Sequence, residues 1–375
     1  MNEISSNLAL RSTLRRNGDV EIALEQVRVP GREGGVVVEM LAAPIHPADM
    51  SLLFARADPG TAERIQRDGK TVTVLRAGDA AAKAQASRVD VPTAVGMEGA
   101  GRVVEAGPSD AAQALLGRLV AVRGNGVYAR YNRIALEDIL PLPDDVSASE
   151  GAAAFINPLT VLGMVELMQD GGFGGLVHTA AASTIGQMLC RLCREEGIGL
   201  VSIVRRPEQV ELLQSIGAEH VCDMSGPGFE DELLRALVAT GATLAFDATG
   251  GGDLASRILN LMERALPKPA GYQHYGSNIR KKVFIYGTLD PSPLVLLKNY
   301  GLAWDLGGYL VFHFLESIGP ERVEGLKRRV VEGLKTTFAM QYSHKISLAE
   351  ACDPDVLRGA GRRATGDKYL IDFSI

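Results

Sequence analysis

The chain has 375 residues, of which 46% are hydrophobic and 22% charged, so its composition excludes disordered, collagen-like and coiled-coil proteins and allows about two domains. A formal net charge of −6 excludes a strong attraction to nucleic acid or to an anionic membrane and favours a small-molecule partner. The sequence shows neither a secretory signal nor a run of roughly 18 apolar residues, and four cysteines are too few for a disulfide framework, so we expect a cytoplasmic protein.

The first 140 residues predict a mainly β domain. Short apolar runs alternate with Gly, Pro and Asn, which is typical of antiparallel strands. Residues 55–93 predict an irregular segment with one strand at Thr71 to Leu75, and this segment is either a lid beside an active site or a surface excursion. The other predicted strands are Leu8 to Leu14, Val20 to Val27, Val36 to Leu41, Gly101 to Val104 and Leu119 to Val122.

From about residue 150 the pattern changes to short strands separated by helix-length segments. Such alternation indicates βαβ units around a parallel sheet. A charged helical pattern follows at Pro320 to Thr336, and a last strand, Lys368 to Phe373, is expected to pack back on the first domain. The predicted strands of the sheet are Leu176 to His178, Leu200 to Val204, His220 to Cys222, Leu244 to Asp247 and Val283 to Tyr286.

The most informative stretch is a strand, a turn of small residues and a helix between Leu176 and Glu196. In a dinucleotide fold the pyrophosphate lies against the helix N-terminus, where free backbone N–H groups and the helix dipole favour negative charge. The turn departs from G-x-G-x-x-G, because Ala181 and Ser183 occupy the first two glycine positions and only Gly186 remains. By itself such a turn is either a phosphate cradle or an ordinary tight βα loop.

The strand after this helix ends in Arg205 and Arg206. An NAD enzyme would carry an Asp or Glu at this distance from the turn, to bind the ribose 2′-hydroxyl. A guanidinium instead pairs with a 2′-phosphate. The two arginines therefore predict NADPH as the cofactor, unless both simply begin a solvated helix.

Several runs, in the correct order, resemble the zinc-independent medium-chain dehydrogenases/reductases, and within them the NADPH:quinone oxidoreductases and enoyl-thioester reductases. These runs are VGMEGAGRVVEAG from Val95, INPLTVLGMVELM from Ile156, IGAEHVCD from Ile216 and FDATGGG from Phe246. The resemblance implies an α/β protein with a GroES-like, mainly β substrate domain at residues 1–155 and 315–375. It also implies a Rossmann domain, a doubly wound parallel sheet, at residues 156–314. The active site is then expected in the cleft, and a homodimer is expected through edge strands such as Val283 to Tyr286.

The resemblance also implies a set of site residues. Asn157 and Thr160 are expected beside the nicotinamide, and Gly287 is expected at the nicotinamide end of the cofactor. Lys368 is either a second charge on the adenine side or an exposed lysine. His46, Asp49 and Asn157 are the polar groups expected nearest the chemistry, although Asp49 either acts there or only organises its loop. The pyrophosphate is expected at Ala181, Ala182, Ser183, Thr184, Ile185 and Gly186, and the 2′-phosphate at Arg205, with Arg206 next to it.

The positions of the family's catalytic zinc ligands do not predict a metal site. Catalytic zinc needs about three protein ligands. Met97 stands where a histidine ligand is usual, and a thioether does not replace imidazole for zinc. His46 falls at the first ligand position, but one histidine cannot hold the ion.

The first functional hypothesis is hydride transfer from NADPH to a quinone or another conjugated carbonyl. The second is an enoyl-thioester reductase, with Arg56, Arg64, Arg67 and Lys70 as a basic patch for the phosphates of the carrier. Enoyl reductases of this family place a tyrosine shortly before the GxEG segment, and residues 55–95 contain none, which disfavours this hypothesis. The third is a protein that binds NADPH as a sensor and turns over nothing, because Ser183 and Thr184 stand where glycines are usual.

Overall fold

The computed structural model describes residues 6–67, 69–267, 274–362 and 365–375. The chain divides into two compact units, one formed by Met1–Ile156 with Val330–Ile375 and the other by Asn157–Arg329. The predicted boundaries were 155/156 and 314/315, so the second unit runs further along the chain than expected. In the added segment, Arg322 pairs with Asp170 of the same unit at 3.0 Å.

Among the described residues, the first unit begins with ten strands and four short helices, in antiparallel sheets as predicted. The strands are β1 (Asn7–Leu14), β2 (Asp19–Val27), β3 (Val36–Ile45), β4 (Asp58–Arg67), β5 (Lys70–Arg76), β6 (Thr93–Ala94), β7 (Glu98–Ala106), β8 (Leu119–Arg123), β9 (Tyr131–Ile134) and β10 (Ile139–Pro141). The helices are α1 (Met50–Phe54), α2 (Asp79–Ala84), α3 (Asp110–Gln113) and α4 (Ala148–Gly151), and short 3₁₀ turns lie at Ala86–Arg88 and Leu136–Asp138.

One sheet of this unit has the order β4-β5-β2-β1-β6. The strand predicted at Thr71 to Leu75 is confirmed as part of β5. The prediction that the rest of residues 55–93 is irregular was wrong, because β4 and β5 form an antiparallel hairpin that extends this sheet from β2. β4 lies at the edge, and Ala62 is its buried residue, so most of its side chains face solvent. A polar edge strand of this kind lacks the apolar alternation by which a half-buried strand is recognised.

The second unit is a six-stranded parallel sheet with helices, and it has the order β13-β12-β11-β14-β15-β16. Its strands are β11 (Gly175–His178), β12 (Gly199–Val204), β13 (His220–Asp223), β14 (Leu244–Asp247), β15 (Lys281–Ile285) and β16 (Trp304–Gly308). Its helices are α5 (Ile156–Asp170), α6 (Thr184–Glu196), α7 (Pro207–Ser215), α8 (Phe229–Thr240), α9 (Leu254–Ala265), α10 (Val311–Ile318) and α11 (Pro320–Gly333). This is the doubly wound order of a Rossmann domain, and the predicted fold class is confirmed.

The outer position of β16 corrects one expectation. Val283 to Tyr286 were predicted to form an edge, but β15 pairs with β14 on one side and with β16 on the other. β16 was missed because it is short and ends in two glycines, Gly307 and Gly308, which carry no apolar signal.

After α11 the chain returns to the first unit, as predicted. It forms β17 (His344–Ile346), a 3₁₀ turn at Glu350–Cys352, α12 (Pro354–Gly361) and β18 (Tyr369–Asp372). β18 runs antiparallel to β3 and completes a second sheet of order β10-β8-β7-β3-β18-β17, with β9 also paired to β3. The fully buried Leu10, Val38 and Ile371 show that both chain ends contribute to one core.

Candidate functional site

The turn between β11 and α6 is closely packed. The Ser183 hydroxyl caps α6 by accepting a hydrogen bond from the Gly186 backbone N–H at 3.2 Å. A Cβ at Gly186 would lie 2.1 Å from the carbonyl oxygen of Ala181, so the helix reaches the turn only because this residue has no side chain. This contact explains why the third glycine position of the motif is still a glycine in this chain, although Ala181 and Ser183 replace the first two glycines.

Arg205 and Arg206 lie beside this turn. The Ala181 backbone N–H donates to the carbonyl oxygen of Ile203 at 3.0 Å, and the two arginines follow at the carboxyl end of β12. Both side chains are exposed, and within the described part of the chain neither guanidinium has a carboxylate partner. Two free cationic side chains next to the N-terminus of α6 form a site suited to a phosphorylated ligand.

The order in which the chain adds strands to the sheet reverses between β11 and β14. Open α/β sheets bind their ligands at such a switch point. Asp247, at the end of β14, is fully buried. Its Oδ1 accepts two hydrogen bonds, one from the Thr179 hydroxyl at 2.6 Å and one from the Thr249 backbone N–H at 2.8 Å. Asp247 therefore joins the loops that follow β11 and β14. The sequence reasoning gave it no role, although it stands in the FDATGGG run.

The loops after β14 and β15 approach each other with no room for side chains. A Cβ at Gly287 would lie 2.4 Å from the Ala248 carbonyl oxygen, and a Cβ at Gly250 would lie 2.3 Å from that of Gly287. Gly287 therefore lies at the carboxyl edge of the sheet. Its expected approach to the nicotinamide stays a prediction.

Asn157 and Thr160 are both buried in the first turns of α5. The Thr160 carbonyl oxygen accepts a hydrogen bond from the Tyr309 hydroxyl at 2.9 Å, which ties this helix to the segment after β16. The contact fixes the helix, while the expected contact of Asn157 and Thr160 with a nicotinamide remains untested.

A buried polar pair at the same edge of the sheet was not predicted. His178 Nε2 lies 2.7 Å from the hydroxyl of Tyr286, and among the described residues His178 Nδ1 is buried without a hydrogen-bond partner. Burial lowers the pKa of His178 to about 3, so the ring is neutral at neutral pH. Burial also raises the pKa of Tyr286, so its hydroxyl keeps its proton at neutral pH.

The first unit holds a second cluster, centred on His46. His46 Nε2 lies 2.5 Å from Oε1 of the buried Glu98. The other oxygen of Glu98 accepts hydrogen bonds from the backbone N–H groups of Phe155 and Ile156, at 2.8 and 3.0 Å. Glu98 was missed in the sequence, although an acidic residue within the apolar GMEGAG run was a signal for it.

Asp49 fixes the loop that carries His46. Its Oδ2 accepts a hydrogen bond from the His46 backbone N–H at 2.8 Å and lies 2.9 Å from the Tyr128 hydroxyl. That hydroxyl also lies 2.7 Å from the carbonyl oxygen of Pro44. Burial raises the pKa of Asp49 despite these contacts. Tyr128 lies in the turn before β9, where its ring is buried in the core of the first unit and its hydroxyl holds this loop.

Burial by itself lowers the pKa of His46. The charge and hydrogen bond of Glu98, with a smaller contribution from Asp49, raise this pKa by more than burial lowers it, so the net shift is upward. Lys368 opposes this rise through its positive charge, so Lys368 lies in electrostatic range of His46 within the first unit. Its expected place on the adenine side of the cofactor stays a prediction.

Two of the four side chains in the basic patch predicted for an enoyl-thioester carrier form ion pairs. Arg64 pairs with Asp353 at 3.0 Å, and Arg67 pairs with Glu21 on β2. Ion pairs of this kind leave less positive charge for a phosphate group, which weakens the argument for such a carrier at this surface.

Two further features concern metals and membranes. Among residues 6–67, 69–267, 274–362 and 365–375, no group of three or more His, Cys, Asp or Glu side chains is arranged to hold a metal ion. In the same part of the chain, every helix is too short or too polar to span a bilayer.

The structure combines a Rossmann unit with a separate, mainly β unit, and this combination matches the Rossmann plus GroES-like fold of the medium-chain dehydrogenases/reductases. No family model matches the chain. It is similar to a solved structure described as a putative NADPH:quinone reductase from Mesorhizobium loti, with 24% identity and a TM-score of 0.74 over 99% of this chain and 100% of the other. It is also similar to a mycobacterial protein solved in complex with NADPH, with 17% identity and a TM-score of 0.68 over 98% and 99% of the two chains.

A curated relative is the mitochondrial enoyl-[acyl-carrier-protein] reductase of Caenorhabditis elegans, which is 25% identical over 253 residues. The match covers 65% of this chain and 64% of the relative, so the chain spans less than two thirds of that relative's length. The predicted resemblance to the NADPH:quinone reductases and enoyl-thioester reductases of the medium-chain type is confirmed.

Proposed function

We propose that the protein is an enzyme that binds NADPH and transfers its hydride to a quinone or another conjugated carbonyl. The observation that carries this proposal is the pair of exposed arginines beside the small-residue turn, which have no carboxylate partner among the described residues. Phosphorylated dinucleotides need a close backbone approach at the pyrophosphate and a cation at the 2′-phosphate. The turn at Ala181 to Gly186 and the adjacent Arg205 and Arg206 offer both. The similar mycobacterial structure was solved with NADPH, which supports the same assignment.

In this proposal the nicotinamide supplies the hydride when it is bound, and the protein orients it and excludes water. Arg205 and Arg206 hold the 2′-phosphate, and the N-terminus of α6 faces the pyrophosphate. Asp247 fixes the loops at the switch point of the sheet through its contacts with Thr179 and Thr249. Asn157, Thr160 and Gly287 keep their predicted places by the nicotinamide, and His46, Asp49 and Asn157 keep theirs by the acceptor.

The cofactor assignment is tested by calorimetric titration of NADPH and NADH against the variants Arg205→Ala and Arg206→Ala. Loss of a charge-assisted contact costs about 1.5 to 3 kcal/mol, so NADPH affinity should fall about 10- to 150-fold for at least one variant. NADH affinity should stay within about 2-fold, because NADH carries no 2′-phosphate. The exposed Arg235 on α8 gives a matched control, and Arg235→Ala should bind both cofactors as the wild type does. Equal weakening of NADPH and NADH would contradict the role of the arginines.

Turnover is tested by following NADPH oxidation with quinones, enones and enoyl-thioesters. Reduction of quinones or enones supports the proposed function. Reduction of enoyl-thioesters alone would favour the function named for the Caenorhabditis elegans relative, and that function is disfavoured here by the paired Arg64 and Arg67. NADPH binding without turnover on any acceptor would point to a sensor protein.

We also propose that the protein acts as a cytoplasmic homodimer and that β16 forms its interface. β16 ends the parallel sheet, and its outer side has no paired strand in the described part of the chain. An open sheet edge pairs readily with a second copy of the same strand. Leu302, Leu297 and Leu310 are 70%, 58% and 49% exposed near this edge, and a second copy would cover such apolar side chains.

A further inference from the structure

One residue at the entrance to the small-residue turn has an unfavourable backbone conformation. Ala180 leads from β11 into the turn and has a φ of +50°. A residue with a Cβ disfavours this left-handed region, and glycine is the residue that usually occupies it. Strained residues of this kind persist only where their surroundings hold them, and they are concentrated at sites that clamp ligands. The contacts on either side of Ala180 therefore decide whether the turn keeps its shape.

Thr179 anchors the turn on the side of β14. Its hydroxyl donates a hydrogen bond to Oδ1 of Asp247 at 2.6 Å and accepts one from the Ala248 backbone N–H at 2.8 Å. Its own backbone N–H donates to the carbonyl oxygen of Phe246 at 3.1 Å. Thr179 is fully buried, so water does not compete for these hydrogen bonds. The residue before Ala180 is thus tied to the end of β14 through its side chain and its backbone.

A second anchor follows directly after Ala180. The Ala181 backbone N–H donates to the carbonyl oxygen of Ile203 on β12 at 3.0 Å, and the Ser183 backbone N–H donates to the carbonyl oxygen of Ala180 at 2.9 Å. Ala180 therefore lies between one anchor on β14 and another on β12. The anchor on β12 is made by backbone groups, so the side chain of Thr179 is the part of this arrangement that a substitution can remove.

Asp247 makes the anchor on β14 depend on Thr179. Its Oδ1 also accepts a hydrogen bond from the Thr249 backbone N–H at 2.8 Å, and its Oδ2 accepts one from the Gly250 backbone N–H at 3.2 Å. Both of these donors belong to the loop that follows β14, whereas the Thr179 hydroxyl comes from the end of β11. Without that hydroxyl, the Asp247 side chain no longer joins the two loops, and the buried Ala248 N–H loses its acceptor.

We propose that Thr179 is a positioning residue for the pyrophosphate of the dinucleotide. It holds Ala180 in the left-handed conformation, so the turn has its binding shape before the cofactor arrives. A loop that is already ordered loses less conformational entropy when it binds a ligand. Thr179 acts through Ala180 and the turn, because its own side chain is fully buried. The role assigned to Thr179 rests on the proposed function, which places the pyrophosphate at this turn.

This role predicts a pattern of affinities that differs from the pattern expected for the two arginines. NADPH and NADH share the pyrophosphate, whereas adenosine 2′-monophosphate carries the 2′-phosphate without a pyrophosphate. Loss of the Thr179 hydroxyl should weaken NADPH and NADH alike and leave adenosine 2′-monophosphate unchanged. Arg205→Ala or Arg206→Ala should instead weaken NADPH and adenosine 2′-monophosphate and leave NADH unchanged.

The experiment is calorimetric titration of the intact chain with these three ligands. Thr179→Val keeps the shape of the side chain and removes the hydroxyl. It should bind NADPH and NADH about 10-fold more weakly than the wild type and adenosine 2′-monophosphate within about 2-fold of it. Thr243→Val is the matched control, because Thr243 is a buried threonine of the same unit that lies just before the amino end of β14. This control should bind all three ligands as the wild type does.

A double variant separates the positioning role from a general loss of stability. Glycine adopts the left-handed conformation without strain, so Ala180→Gly needs the Thr179 anchor less than the wild type does. Added to Thr179→Val, Ala180→Gly should restore at least about 3-fold of the affinity for NADPH and NADH. Glycine also gives the unfolded chain more freedom, so it would not repair a variant that is merely unstable.

A second pair of variants tests the same contact if Thr179→Val does not fold. Thr179→Ser and Thr179→Cys both lack the methyl group and differ only in oxygen against sulfur. A thiol is the weaker hydrogen-bonding group. Thr179→Ser should therefore bind NADPH within about 3-fold of the wild type, and Thr179→Cys should bind it more weakly than Thr179→Ser.

Three results would overturn the role of Thr179. They are unchanged NADPH and NADH affinities in Thr179→Val, a loss of affinity for adenosine 2′-monophosphate as large as that for NADPH, and a double variant that regains nothing. If the arginine variants still lose NADPH selectively, the proposed function survives such a result. A wild type that binds neither NADPH nor NADH would instead defeat the proposed function itself, so the two failures are distinct.

Discussion

Replacing the buried His178 tests how the parallel sheet responds to acid. His178 is fully buried at the end of β11, with Nε2 on Tyr286 and Nδ1 without a partner. Burial lowers its pKa to about 3, against about 6.5 in an unfolded chain. Below pH 6.5 the unfolded chain takes up a proton that the folded chain cannot hold. The stability from a neutral His178 is thus present above pH 6.5 and is lost as the pH falls toward about 3.

The size of this effect follows from the same shift. Between pH 6.5 and pH 5, protonation of the unfolded state should remove about 2 kcal/mol from the free energy of unfolding. His178→Gln keeps a polar partner for Tyr286 but does not titrate. This variant should lose about 2 kcal/mol less than the wild type when the pH is lowered from 7.5 to 5.

The assay is urea unfolding at pH 7.5 and pH 5, followed by tryptophan fluorescence. The chain has a single tryptophan, Trp304 on β16, so the signal reports the unit that contains His178. His313→Gln, at an exposed position on α10 of the same unit, is the control and should follow the wild type. If the wild type and His178→Gln lost equal stability between the two pH values, the buried neutral histidine would not be the cause of acid sensitivity.

Two further predictions concern the turn and the dimer. Gly186→Ala places a methyl group 2.1 Å from the Ala181 carbonyl oxygen, so α6 must shift. We expect thermal unfolding to show a loss of about 1 to 3 kcal/mol in stability. Calorimetry should show that NADPH binds at least about 10-fold more weakly than to the wild type. Gly325→Ala on α11, where the new Cβ meets little, is its control, and similar NADPH affinities for the two variants would contradict the tight contact at the turn. In sedimentation velocity the wild type should be a dimer. Gly308→Pro should shift it toward monomer, because Tyr309 N–H bonds inward to Ile285 and the N–H of Gly308 consequently points to the open edge. A wild type that is monomeric at all concentrations would exclude the proposed interface.

Much of the second unit was predictable because its signals are local. A buried parallel strand is a short apolar run, and the runs ending at His178, Val204 and Asp247 match the ends of β11, β12 and β14. The closely packed glycine of the turn and the two arginines after β12 were also predictable from the sequence. The strand, turn, helix and arginines that form this motif all lie within about 30 positions of one another. The structure placed them together as expected, although their contact with NADPH remains to be tested.

The polar cluster of the first unit was only partly predictable. His46 and Asp49 were chosen from a short motif, but their partners Glu98 and Tyr128 lie 52 and 79 residues further along the chain. No local periodicity connects such residues. They meet because the strands and loops that carry them fold around one core, and hydrogen bonding there decides which of them is charged.

The sequence by itself determined the alternation of strands and helices in the second unit, its Rossmann type and the charge beside the phosphate turn, because burial of apolar residues imposes a pattern on neighbouring positions. Only the tertiary structure decided that β4 is an edge strand, that β16 rather than β15 ends the parallel sheet, and that Glu98 supports His46. Those features depend on which strands pair and on which polar groups are removed from water together, and both are set by contacts between distant parts of the chain.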